Sequence, residues 1–418
     1  MSLNNRKNDM TPFDMSRRPV KQNPLLMPLI WTVCHVMTRK MGLVKVKKIG
    51  MEGIKPPFLV ISAHQGFSDY YIAPRALFPY RANYVSDMEG FAAFGNELYH
   101  QIGCIGKRRY TADISVVKNV GYALKTLKQP VVIFPESRHC DAGITSSLPD
   151  NIGRLIKHFG VPAAVLTIHG SYLANPFWEE GRTRHTKLSA CLESVLTAEQ
   201  VKELPAREIQ RIISEKLDYD EYAYQYENRI SITDRPAKGL HLPLYKCRSC
   251  LCEGQMWGHD DILECTACGE KWVMDEYGRL NKDGSYVHIP DWYRWERAEA
   301  EREINDGYHA EFGVRVEALP NEKGFVKLGS GTLRSSHTGF ELSLDETPQG
   351  IADKFPLTFC FSAMESVQTE YDYRGRGKCI VLSTKNCCYY CYSDDPAFIV
   401  TKLEFAGEYL HRQIRRKR

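Results

Sequence analysis

The sequence predicts an α/β domain with a mostly parallel sheet, followed by a small paired-cysteine module and a β-rich domain closed by a helix. Three observations carry this. Short apolar runs alternate with helical periodicity between about residues 57 and 235, a pattern that calls for strands joined by crossover helices. Two Cys-x-x-Cys pairs fall within residues 244–290. Beyond about residue 312 there are only short strand-like runs and turn signals until a final amphipathic segment. The 418 residues, 43% hydrophobic and 25% charged, suit two or three globular domains. They exclude a mostly disordered chain, a collagen-like repeat and a polytopic membrane protein.

The elements follow in chain order. Residues 1–50 carry a net charge of +8, while the other 368 sum to −4. Within them the apolar stretch Pro24–Met37, interrupted by Pro28, is shorter than the ~20 residues a spanning helix needs. Arg17, Arg18 and Lys21 precede it, and Arg39, Lys40, Lys45, Lys47 and Lys48 follow. An apolar face with cationic flanks and one Trp reads as an arm lying in a membrane interface, with an anionic membrane surface as its partner. No secretory signal is recognisable at the start. The expectation is a cytoplasmic protein with reduced thiols, peripheral on the inner face of the cell membrane.

The catalytic-looking domain occupies residues 51–235. Phe58–Ile61 is a short apolar run, as in a strand buried on both faces. A second strand is expected over Ala82–Val85. A helix follows from about Ala112 to Leu127, with Val116, Val120, Ala123 and Leu127 on one face and Thr111 as N-cap. Val131–Phe134 is another buried strand, Ile152–Phe159 a short helix and Val161–Ile168 a strand. Thr197-Ala-Glu-Gln200 reads as a capping box whose helix stops before Pro205.

Two segments of this domain carry chemistry. His64 comes directly after the first buried strand, and Asp69 follows five residues later in Ser62-Ala-His-Gln-Gly-Phe-Ser-Asp69. Phe134-Pro-Glu136-Ser-Arg138 comes directly after another buried strand. Ligands of open parallel sheets sit outside the carboxyl ends of the strands, so the two segments are expected on one rim. A carboxylate on one imidazole nitrogen fixes the tautomer and raises the basicity of the other. A His–Asp pair without a Ser or Cys nucleophile suits general-base activation of a substrate hydroxyl.

In these motifs the chain resembles the glycerolipid acyltransferase family, the 1-acylglycerol-3-phosphate and lysophospholipid acyltransferases. The resemblance covers roughly residues 25–235. It rests on four blocks in the family's order: His64-x4-Asp69, Gly103-Cys-Ile-Gly-Lys-Arg-Arg109, Phe134-Pro-Glu136, and Val161-Pro162 opening a strand. It implies acyl transfer from acyl-CoA or acyl-carrier protein to the hydroxyl of a lysophospholipid or glycerol-phosphate acceptor. His64 would take the proton, Asp69 would orient His64, and the hydroxyl oxygen would attack the thioester without an acyl-enzyme. Glu136, Arg138, Lys107, Arg108 and Arg109 would position the phosphate-bearing acceptor: Lys107, Arg108 and Arg109 by cationic contacts to its phosphate, and Glu136, a carboxylate that cannot bind phosphate, by holding an acceptor hydroxyl or by ordering Arg138. Two blocks depart from the family pattern. Ser137 stands where Phe-Pro-Glu is usually followed by Gly, with Arg138 two residues after Glu136 rather than three, and Ala63 precedes His64 where Asn is common.

In the 244–290 module, Cys247-Arg-Ser-Cys250 and Cys265-Thr-Ala-Cys268 are separated by fourteen residues. This spacing reads as a four-cysteine zinc ribbon, a closed structural site with no catalytic position. Cys388-Tyr-Tyr-Cys391 has the same form without a second pair and reads as core cysteines. In residues 291–418, a charged helix over Asp291–Asp306 precedes strand-like runs at 312–318, 324–328, 339–344, 357–361, 379–383 and 388–392. A closing helix follows, with Ile399, Leu403, Ala406, Leu410 and Ile414 on one face and Arg412, Arg415, Arg416, Lys417 and Arg418 at its end. In architecture this part resembles a pleckstrin-homology-like β-domain. Alternatives from other classes are a zinc-ribbon nucleic-acid-binding protein and a catalytically inactive membrane scaffold. The basic residues gather by the N-terminal apolar segment rather than the ribbon, so no nucleic acid is expected. Intact His64, Asp69 and Glu136 oppose the inactive reading.

Overall fold

The computed structural model describes residues 9–179, 184, 186–232, 237–305 and 307–417. Residues 1–8 of the basic arm, the change of character near 236, and Asp306 and Arg418 at predicted helix ends lie outside them.

The first part of the chain runs α1 (Met27–Lys40), β1 (Val46–Ile49), β2 (Leu59–Ser62), α2 (Asp69–Leu77), β3 (Asn83–Asp87), α3 (Met88–Phe94), α4 (Asn96–Gln101), β4 (Cys104–Lys107), α5 (Ile114–Lys125) and β5 (Val131–Ile133). It continues through α6 (Ile152–Phe159), β6 (Ala163–His169), α7 (Ser171–Ala174), β7 (Ser189–Leu196), α8 (Ala198–Glu203), α9 (Ala206–Leu217) and α10 (Glu221–Glu227). The seven strands form one sheet in the order β1-β7-β6-β2-β5-β3-β4. All pairings are parallel except β6–β7. The central strands read as continuous apolar runs because both faces are covered. On one face Leu59, Ile61, Val131 and Val165 meet Val120, Leu124 and Ile156; on the other Phe58, Val60 and Leu166 meet Ile72 and Leu77 of α2. The capping box of Thr197 and Gln200 forms as expected. The N-cap of α5 is a correction: it is Asp113, which accepts from Ser115 N at 2.7 Å, while Thr111 Oγ1 bonds back to Arg108 O.

The cysteine module is a five-stranded antiparallel sheet of β8 (Met256–His259), β9 (Ile262–Cys265), β10 (Lys271–Met274), β11 (Leu280–Lys282) and β12 (Ser285–Val287). It leads into α11 (Ile289–Asn305), where Trp292 meets Trp272 edge to face at 4.8 Å. The last part is a seven-stranded antiparallel sheet. It comprises β13 (His309–Leu319), β14 (Val326–Ser336), β15 (Gly339–Leu344), β16 (Leu357–Cys360), β17 (Gln368–Glu370), β18 (Cys379–Ser383) and β19 (Cys388–Tyr392), ordered β16-β15-β14-β13-β19-β18-β17. The closing helix α12 (Val400–Arg416) covers it with Leu403, Ala406 and Leu410. Cys388 and Cys391 are buried in β19.

These parts share one core. A single apolar cluster runs from Cys140, Tyr172 and Trp178 of the first domain through Leu263 and Trp272 of the ribbon to Phe340 and Leu403 of the β-domain. Within the N-terminal arm, residues 9–23 are a strap against both domains: Asn321 donates to the carbonyls of Asp9 and Thr11, Phe13 N donates to Pro320 O, and Asn119 donates to the carbonyls of Met15 and Arg17. The apolar face that remains outward is on α1 and its approach, where Leu25, Leu29, Val33 and Val36 are exposed. Among the described residues, no helix is long and apolar enough to cross a membrane.

Candidate active site

Strands β2 and β5 are parallel neighbours with Ile61 opposite Ile133. Their carboxyl ends therefore deliver His64 and the Phe-Pro-Glu turn to the same rim. Glu136 joins the two turns: its Oε1 accepts from His64 N at 3.2 Å and its Oε2 from Ser146 N at 2.9 Å. Burial pushes its carboxyl up to about 7 against these hydrogen bonds.

The turn after β2 explains the five-residue spacing. Asp69 is the first residue of α2, where the helix dipole favours a carboxylate. Its Oδ2 accepts from Gln65 N at 2.7 Å, from Gly66 N at 3.1 Å and meets His64 Nδ1 at 3.1 Å. Its Oδ1 accepts from Ser171 Oγ at 2.5 Å. Ser171 opens α7 after β6, the third parallel strand end on this rim. The close approach demands glycine at 66, where a Cβ would stand 2.8 Å from the Ser171 carbonyl oxygen. His64 and Asp69 are both buried. The Asp69 carboxylate thus favours the Nδ1–H tautomer and leaves the Nε2 lone pair able to accept a proton.

His64 Nε2 lies 3.2 Å from the hydroxyl of Tyr70. The Phe134 and His139 rings flank the imidazole at 4.6 and 4.1 Å. Phe67 and Tyr70 are the exposed residues beside them, so the mouth of the site is aromatic. Sequence reasoning missed Tyr70, His139 and Ser171. The signal was adjacency: Tyr70 follows Asp69, His139 follows Arg138, and Ser171 follows a predicted strand end.

The five predicted acceptor-binding residues separate. Glu136 accepts one backbone N–H on each oxygen, from His64 and from Ser146, and so ties the two turns together. Arg138 is buried and turned to α12, with Nη1 2.6 Å from Asp141 and further ion pairs to Glu404 and Glu408. Arg108 is buried and donates to the carbonyls of Lys385 at 2.7 Å and Pro320 at 3.0 Å, holding the β-domain. Arg109 pairs with Asp87 and Glu89. The reason is common to the three arginines: a buried guanidinium is tolerated only when carbonyls or carboxylates surround it. Lys107 differs. It is half-buried and donates to a neutral partner, Ser137 Oγ, at 2.7 Å, and burial draws its ammonium down to about 8. Ser137 sits at φ 59°, in the left-handed region that favours glycine; its hydroxyl gives Lys107 a ligand that glycine would lack.

In the ribbon, the Sγ atoms of Cys247, Cys250, Cys265 and Cys268 all lie within 4.8 Å of one another. Cys250 and Cys265 are 3.6 Å apart and Cys247 and Cys268 3.7 Å. Thiolates ~2.3 Å from a tetrahedral ion have edges of about 3.8 Å, so the cluster has the dimensions of a closed four-thiolate metal site.

The molecule is thus an α/β domain bearing a buried His–Asp pair at the carboxyl rim of its parallel strands, fused to a four-cysteine metal-binding module and a helix-closed β-domain. No protein-family model matches the chain, and no curated protein matches it. Among solved structures it is similar to the 1-acyl-sn-glycerophosphate (LPA) acyltransferase PlsC from Thermotoga maritima. The identity is 16% over 46% of this chain and 76% of that one, with a TM-score of 0.38.

Proposed function

We propose that the protein transfers an acyl group from acyl-CoA or acyl-carrier protein to the hydroxyl of a lysophospholipid or glycerol-phosphate acceptor. The carrying observation is the His64 imidazole, oriented by Asp69 through Nδ1 and meeting a hydroxyl, that of Tyr70, at Nε2. An acceptor hydroxyl that replaces Tyr70 there would lose its proton to His64 and attack the thioester. The nearby alternatives to an external nucleophile are poor: burial raises the Cys140 thiol well above the ordinary cysteine value, and Ser68 and Ser171 bond each other on the Asp69 side. Lys107, whose hydrogen-bond partner is neutral, is the basic residue suited to an acceptor phosphate. The test is to incubate purified protein with a panel of lysophospholipids and acyl-CoA or acyl-carrier protein and to identify products by mass spectrometry. Diacyl product is expected; none with any pairing would reject the activity.

The four-cysteine cluster would hold a structural zinc. Elemental analysis is expected to give one zinc per chain, lost in Cys265→Ser. Because the ribbon shares the core that reaches Cys140, the Cys265→Ser protein should also unfold at lower denaturant; an unchanged midpoint would separate the ribbon from the rest.

The exposed face of Leu25, Leu29, Val33 and Val36, beside exposed Arg39, Lys40, Lys45 and Lys47, would rest on an anionic membrane surface. On this reading the protein would be peripheral on the inner face of the cell membrane. Each basic side chain near an anionic leaflet adds ~1 kcal/mol. Leu29→Ser with Val33→Ser and Val36→Ser should remove the apolar share of binding, so that co-sedimentation with phosphatidylglycerol vesicles weakens and what remains is lost at high salt, with the strap intact. Unchanged co-sedimentation would place the anchor elsewhere.

A further inference from the structure

Beside His64 lies a second histidine that the general-base step does not use. His139 is buried, and its Nε2 has no hydrogen-bond partner. An unpaired buried polar atom is costly, and such atoms in folded proteins call for an explanation. The ring is held where it is by its neighbours. Cys140 N donates to the carbonyl of His64 at 3.1 Å, Cys140 Sγ reaches Gln65 O at 3.6 Å, and Glu136 grips His64 N. The segment 136–140 is therefore laced to the turn that carries the base, and the two imidazoles stand 4.1 Å apart between centroids. The His139 ring also meets Phe67 at 4.7 Å and Phe177 at 5.5 Å.

Resting on the acyl-transfer reading above, we propose that His139 is a catalytic residue that donates its Nε2–H to the thioester carbonyl oxygen as negative charge develops there. The step balances as follows. The acceptor oxygen forms a bond to the thioester carbon while its proton passes to His64 Nε2. The carbonyl electron pair moves onto oxygen and is held by the His139 N–H. Collapse of that oxyanion breaks the carbon–sulfur bond, and the thiolate leaves with the proton from His64, giving ester and thiol. The surroundings suit a donor that does not itself ionise. Burial first, then the neighbouring His64 and Arg109, holds the His139 imidazole well below the ordinary histidine value, so it stays neutral when His64 takes its proton.

Two variants and one spectroscopic measurement test this. His139→Phe keeps the ring volume and removes the donor, and kcat should fall about 10²–10³-fold with KM for the acceptor within about threefold of wild type. His139→Gln restores an N–H donor and should recover about tenfold or more of that loss. A folded His139→Phe with wild-type kcat overturns the proposal, as does an equal loss in both variants. The activity-independent arm uses ¹⁵N-histidine protein and an acyl-CoA analogue with methylene in place of the thioester sulfur, which keeps the carbonyl and transfers nothing. His139 should show a neutral, Nε2-protonated ring whose N–H signal shifts when the analogue binds. A charged ring, the other tautomer, no response, or no binding overturns the proposal. A wild type without turnover rejects the acyl-transfer reading, and the analogue measurement then decides on His139 by itself.

Discussion

Replacing His64 with alanine is expected to lower acyl transfer by about 10²–10⁴-fold without unfolding the protein. The side chain is buried, but its bonds are to Asp69 and Tyr70, and the backbone ties of the turn do not involve it: Glu136 and Cys140 bind the main chain of residue 64. Alanine therefore keeps both ties. Asp69 retains Gln65 N, Gly66 N and Ser171 Oγ, so it is not left unpaired. The measurement is initial rate on the accepted lysophospholipid beside a denaturation curve. Asp69→Asn should behave differently: it keeps the volume but presents an amide to four donors, His64 Nδ1, Gln65 N, Gly66 N and Ser171 Oγ, so both rate and stability fall. A folded His64→Ala protein with wild-type turnover would remove the base from the mechanism.

The central sheet was legible because burial on both faces leaves an unmistakable apolar run, as in Phe58–Ile61 and Val131–Phe134. Parallel pairing then brings residues 64 and 136 together without further information. Strand β7 was not legible. Its sequence, Ser-Ala-Cys-Leu-Glu-Ser-Val-Leu, is half-buried and polar on alternate positions, and it enters antiparallel at β6. The Cys-x-x-Cys ribbon was legible because metal ligation is local in sequence. The arginines were not. Motif position suggested phosphate binding, whereas Arg108 finds Lys385 O 277 residues away and Arg138 finds Glu408 270 residues away. Nothing local announces a partner at that distance. The same holds for the N-terminal residues 9–23, whose charge suggested a surface and whose backbone is bound by Asn119 and Asn321.

Replacing Arg138 with methionine is expected to destabilise the protein by about 3–5 kcal/mol. The side chain is buried among Asp141, Glu404 and Glu408, and Arg297 is the other cation, 2.5 Å from Glu408. Two cations face three acids, so one carboxyl is held protonated. Burial, opposed by Arg138, pushes Glu404 up to about 8 from 4.5, with Tyr293 and Thr369 donating to its oxygens. The sign follows from a folded value above the unfolded one. The contribution of Glu404 to stability is full below about 4.5 and is lost as pH rises through about 8. Without Arg138 the carboxyl is harder still to ionise, so Arg138→Met goes on losing stability above about pH 8, where wild type levels off, and the gap between the two should widen from pH 8 to pH 9. Glu404→Gln removes the ionisation and should flatten the wild-type decline between pH 5 and pH 8, gaining stability at pH 8. Urea midpoints at pH 5, 8 and 9 measure both effects. Because residue 138 adjoins His139 and follows Glu136, the methionine variant should also lose rate before it loses fold. Equal midpoints for Arg138→Met and wild type at pH 8 would show that α12 docks on the catalytic turn without this network.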